Sequence, residues 1–116
     1  MEKKEINYMQ VNVLGTPYTI LYRSKEEDNK FNDDCIGYCD PSLHRIVIMK
    51  LSEDTSDLGD LKFENQRVLR HELVHAFAFE SGLSGYSSWS FNEEMTDWIA
   101  NQFPKMMDCF KQIGAV

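Results

Sequence analysis

The sequence predicts an α+β domain: a small antiparallel or mixed β-sheet packed on a central helix and a second helix. Three observations predict it. The chain has 116 residues, enough for one hydrophobic core and too few for two. Its first half carries short runs of β-branched and aromatic residues separated by turn residues. From about Leu61 the apolar spacing changes from two to between three and four, the period of a helix. Residues 1–116 are therefore read as one domain.

Tyr18-Thr19-Ile20-Leu21-Tyr22 follows the turn residues Gly15-Thr16-Pro17 and reads as a strand. Ser24 to Asn32 is polar and charged, a loop or a short solvated turn of helix. Ile36 to Cys39 and Arg45 to Leu51 read as two strands of a hairpin. Asp40-Pro41-Ser42-Leu43-His44 between them has the composition of a turn. Ser52 to Asp60 is acidic and turn-rich, the crossing from sheet to helices.

Leu61, Val68, Leu69, Leu73, Ala76, Phe77 and Phe79 lie at helical spacing, and Gly82 is placed to stop the helix. Val74 and Ala78 add another apolar side, so this is expected to be the buried central helix. After the Gly/Ser-rich stretch Ser81 to Phe91, a second helix starts with Ser90 or Asn92 as its cap and runs through Trp98, Ile99 and Phe103. Pro104 then ends it or starts a short final helix through Phe110. The two helices are expected to pair antiparallel against the sheet.

Composition excludes several function classes. Lys and Arg total 12 against 19 Asp and Glu, a net charge of -7. Phosphate binding needs basic clusters, so nucleic acid is not an expected partner, and an anionic membrane surface is not either. No apolar run approaches the roughly 20 residues of a membrane span. Met1 to Glu5 is charged rather than an export signal. Three cysteines, Cys35, Cys39 and Cys109, do not make a disulfide framework. The chain therefore reads as cytoplasmic, with reduced thiols. A C-x3-C pair without a second pair falls short of a zinc-finger pattern.

The informative residues are His71-Glu72-Leu73-Val74-His75. Residues four apart on a helix share a face, so both imidazoles reach one ion from a rigid platform. Glu72 borders the same site without needing to be a ligand, the arrangement of a zinc site with a general base. The flanking residues are core-forming, and polar groups on a buried helix need partners that a metal supplies. A catalytic zinc takes three protein ligands and keeps a position open. In the next helix Glu93 and Asp97 are four apart. If their face meets the central helix, Glu93 ligates the metal and Asp97 holds a ligating histidine. Glu94 falls about 100° away around the helix and faces solvent. An acidic first turn also suits the helix dipole, but that does not explain the spacing to Asp97.

His71-Glu72-x-x-His75 followed by Glu93-x-x-Thr96-Asp97 resembles the metal site of the gluzincin metallopeptidases, the group of thermolysin. The chain is also similar, over roughly residues 36 to 104, to the very small zinc peptidases of phages and mobile elements. The resemblance implies one Zn2+ per chain held by His71, His75 and Glu93, with Glu72 as general base and Asp97 supporting a histidine. It implies hydrolysis of a protein or peptide substrate. The strand Arg45-Ile46-Val47-Ile48 is then expected at an exposed edge that pairs with substrate, its alternative being an ordinary core strand. Only 19 residues follow Asp97, so the far wall of the large gluzincin cleft is missing. Tyr86 or His44 is a substitute donor for the oxyanion, Trp89 and Phe91 pin the loop, and a partner protein is one way to complete the cleft. The competing reading is a non-catalytic, zinc-stabilised interaction module, with His44, Cys35 or Cys39 as a fourth ligand.

Overall fold

The computed structural model describes residues 8–32, 35–50, 58–85, 87 and 92–116. Strands β1 (Tyr8–Val13), β2 (Thr16–Arg23), β3 (Gly37–Asp40) and β4 (Arg45–Met49) precede helices α1 (Leu58–Glu80) and α2 (Glu93–Gln112). The strands form one mixed sheet in the order β1-β2-β4-β3, so the α+β expectation holds. Among the described residues no helix is long and apolar enough to cross a membrane.

β1 is an element the sequence reading leaves out. Its alternation of Met9, Val11 and Val13 with Gln10 and Asn12 is the period-two signal of a half-buried strand. It pairs antiparallel with β2 through a two-residue turn in which Leu14 and Gly15 both have positive φ, 51° and 95°. That is the backbone of the tight hairpin turn that matches strand twist. Asn12 Oδ1 accepts from the Gly15 amide at 2.6 Å.

β4 pairs parallel with β2 on one side and antiparallel with β3 on the other. Ile46, Val47 and Ile48 are all fully buried, the continuous apolar run of a strand covered on both faces. The expectation that Arg45, Ile46, Val47 and Ile48 form an exposed edge is therefore corrected. The edge on that side is β3. A 3-10 turn, Pro41–Leu43, joins the two strands, and His44 closes it with φ 50°.

Val13, Tyr18, Ile20, Ile46, Ile48, Val68 and Ala76 make up the core between sheet and α1. At Gly37 β3 packs tightly on α1: a Cβ there would sit 2.8 Å from Val68 Cγ1. Elsewhere the 24–32 loop is fastened to β3. The Tyr38 hydroxyl donates to buried Asp28 at 2.5 Å, and the Phe31 and Tyr38 rings are 5.9 Å apart. Those contacts bury Phe31 and make the loop a structural part of the sheet, beyond the solvated segment expected.

α1 begins three residues before Leu61. It ends at Glu80, and Gly82 (φ 82°) follows as the left-handed stop expected of it. Its end is tied to β2, because the Thr16 and Tyr18 hydroxyls donate to the two oxygens of Glu80 at 2.8 and 2.7 Å. α1 packs on β3 and β4 with one side and on α2 with another. Phe63, Phe77 and Phe79 of α1 remain exposed. The fully buried central helix expected from its composition is corrected accordingly.

Asn92 caps α2, its side chain accepting from the Met95 amide at 2.9 Å. Glu93 and Glu94 lie in its first turn and Lys111 in its last, each sign matched to the helix dipole. Pro104 neither ends the helix nor starts a new one; it sits inside it. Contacts of His75 with Glu93 and of Arg67 with Asp97 run in opposite chain directions, so α2 lies antiparallel to α1, as expected.

Candidate metal centre

Two helices build the site. His71 and His75 stand one turn apart on α1, with ring centroids 5.0 Å apart and edge to face. Ligand atoms of His71, Glu72 and His75 all lie within 4.8 Å of one another. From the first turn of α2, the Glu93 carboxylate reaches across to both rings. Its Oε2 is 2.7 Å from His71 Nε2 and its Oε1 is 3.0 Å from His75 Nε2. Glu93, not Glu94, faces the histidines, although both side chains are exposed. Asp97 Oδ1 lies 3.4 Å from His71 Nδ1.

Burial shifts Glu72 and His75. Glu72 is only 7 % exposed, and burial, followed by the nearby Glu93 charge, pushes its carboxyl up to about 7 against the pull of His71. His75 is held below the usual imidazole value, first by burial, which favours the neutral form that can ligate a metal. Two Nε2 atoms and one carboxylate, converging from two helices, are a His2Glu donor set of the kind zinc takes. Nδ1 of His71 faces Asp97, which leaves Nε2 directed at Glu93.

Two cavities flank the cluster, and Gly37, Glu72 and Glu93 line both. The larger, about 360 Å³, adds Cys39, Pro41, Ala78 and Phe79 on the His75 side. The other, about 300 Å³, adds Arg67 and Asp97 on the His71 side. Together they form a cleft bordered by β3, the edge strand. The chain matches no protein-family model, no curated protein and no solved structure.

The remaining candidates are placed as follows. Tyr86, Trp89 and Phe91 lie outside the described residues. His44 sits in the left-handed position after the 3-10 turn with its ring against Tyr18, centroids 5.5 Å apart. It belongs to the hairpin. Cys39 borders the larger cavity, and its thiol is pushed up to about 12 by burial and then by the charge of Glu72, the opposite of what a metal thiolate needs. Cys35 Sγ contacts the Gly37 carbonyl at 3.6 Å. Among the described residues, the group with ligand spacing is His71, Glu72 and His75; these thiols and His44 are outside it, and so is Glu93, which faces the two histidines from α2.

Arg67 was missed by sequence reasoning. It donates to Asp97 Oδ1 at 2.7 Å and grips Glu64 through Nε and Nη2. The signal was available: Arg67 stands four residues before His71, on the same helical face. Gly37 was also missed. Its role depends on a contact with Val68, 31 positions away in sequence, which a local reading does not reach.

Proposed function

We propose that this chain is a zinc-dependent peptidase of the gluzincin type, hydrolysing a protein or peptide substrate in the cytoplasm. The observation that carries this reading is the single Glu93 carboxylate facing both His71 Nε2 and His75 Nε2, with the buried Glu72 carboxyl beside them. His71, His75 and Glu93 would hold one Zn2+. When bound, zinc polarises a carbonyl and makes a water molecule more acidic.

Glu72 is suited to the proton transfers. A general base works best when its pKa lies near the working pH, and burial has moved Glu72 to about 7. It would take the proton of the attacking water and return it to the leaving amine. Asp97 would keep His71 oriented. An extended substrate would run along β3, the outer strand of the sheet among the described residues, with a side chain in the cavity bordered by Pro41, Ala78 and Phe79. Three free cysteines suit a reducing compartment. A partner protein that supplies the far wall of the cleft belongs to the same proposal.

The test is to incubate the zinc-loaded protein with a complex peptide mixture and read the products by mass spectrometry. Cleavage at a reproducible set of bonds, abolished by a chelator and restored by zinc, is expected. No cleavage of any peptide, alone or with host-cell lysate added as a source of partners, contradicts the proposal.

A second reading is favoured by one observation. Leu73, Val74, Phe77, Ile99 and Phe103 line an apolar groove of about 390 Å³ between α1 and α2, away from the histidines. A non-catalytic module whose zinc fastens the two helices would present this surface to a protein. Zinc uptake without hydrolysis would favour it.

A further inference from the structure

We propose that Arg67 is a positioning residue for the zinc site, acting through Asp97 on His71; this rests on the zinc-peptidase reading above. Arg67, His71 and His75 follow one another at intervals of four along α1 and so share a face. The guanidinium is clamped on one edge: Nε and Nη2 donate to the two oxygens of Glu64 at 3.2 and 2.5 Å. That leaves Nη1 to donate to Asp97 Oδ1 at 2.7 Å. The same oxygen is the one 3.4 Å from His71 Nδ1.

Asp97 needs such a hold. Its side chain is 45 % exposed, and its other oxygen has the Asn101 amide at 3.4 Å. A carboxylate that free has several rotamers open to it. Arg67, 21 % exposed and fixed by Glu64, selects the one that faces His71. A planar fork suits this because it holds two carboxylates at a defined angle. Glu64, Arg67, Asp97 and His71 thus form a chain of polar contacts that ends on a ligand and crosses from α1 to α2 and back.

The bland alternative is that Arg67 only staples the helices together. Arg70 provides the control: it crosses the same seam, to the Ala100 carbonyl, and carries none of the ligand contacts described above. The experiment measures zinc affinity by competition with a chromogenic chelator, using the full chain. It compares wild type with R67M, D97A, the R67M/D97A double variant and R70M.

R67M is expected to bind zinc about 10- to 100-fold more weakly, the usual consequence of removing support behind a ligand. Because Arg67 acts through Asp97, adding R67M to D97A should bring no further loss. R70M should unfold more easily yet bind zinc like wild type. Where R67M does not fold, R67K carries the same test, since an ammonium keeps the charge but lacks the fork. Wild-type affinity in the Arg67 variant overturns the proposal, as does a double variant whose losses multiply, or an equal loss in R70M. A wild type that takes up no zinc overturns the peptidase reading and this one together.

Discussion

Arg70 supplies the hydrogen bond that Pro104 withholds. Proline has no amide hydrogen, so in a helix the carbonyl four residues earlier loses its donor. Here that carbonyl belongs to Ala100, which is fully buried, and Arg70 Nε donates to it at 2.7 Å. Pro104 therefore sits inside α2 without leaving a buried acceptor unpaired, and the repair links α1 to α2.

This relationship makes a prediction about stability. Arg70→Met should lower unfolding stability by about 1–3 kcal/mol, the range for stranding a buried polar group. With Pro104→Ala also present, the backbone supplies its own donor and the Arg70 substitution should cost less. Urea unfolding of the four proteins measures the coupling. Strict additivity would show that Arg70 does not compensate for Pro104.

Glu72→Gln should keep zinc and lose hydrolysis. The amide preserves shape and cannot accept the water proton, so the rate should fall by about 10²–10⁴-fold, the usual contribution of a positioned base. Zinc content and turnover are to be read on the same preparation. Wild-type turnover in the variant would remove Glu72 from the mechanism.

Asp28 predicts part of the acid sensitivity of the fold. The Tyr38 hydroxyl, then the Lys30 amide and Arg23, hold its carboxyl below the ordinary 3.8. A lowered pKa in the folded state means the unfolded chain binds the proton more readily. The stabilisation is therefore complete above the unfolded value and is lost as pH falls through the folded one. Asp28→Asn should be less stable than wild type at pH 7 by about 1–2 kcal/mol, and the gap should close in acid. Thermal unfolding from pH 7 to pH 2 follows it, and a constant gap across that range would contradict the assignment.

Gly37→Ala should push β3 away from α1, because its new methyl would fall 2.8 Å from Val68 Cγ1 and 3.3 Å from Ile48 Cδ1. Overpacking of this kind costs about 1–3 kcal/mol. Val68→Ala in the same protein should recover part of the loss by making room. Denaturant midpoints test both, and an unperturbed Gly37→Ala would mean that the strand shifts freely.

Much of this was legible in the residues because it depends on local periodicity. The spacings within His71-Glu72-x-x-His75 and from Glu93 to Asp97 are properties of two separate helices, and helical spacing survives whatever packs around it. The antiparallel pairing of β3 with β4 was legible from the Asp40–His44 turn. Sheet order was not: β2 and β4 pair in parallel across an intervening strand, and no local signal says which strand lies at the edge. Hence Arg45–Ile48 was expected at the rim and lies inside. Pro104 misled for a related reason, since its missing amide is compensated by Arg70, 34 positions earlier. Phe77 and Phe79 read as core, yet both are exposed: Phe79 lines the cavity on the His75 side and Phe77 the groove between α1 and α2.

The central claim is that Glu93 joins His71 and His75 in holding one zinc. The direct measurement is zinc per chain by elemental mass spectrometry, on wild type, Glu93→Ala and Glu94→Ala purified without added metal. About one zinc per wild-type chain, kept in Glu94→Ala and lost in Glu93→Ala, is the predicted result. A wild type that holds no zinc even after zinc is added and dialysed away, or a Glu93→Ala variant that retains it fully, would contradict the claim.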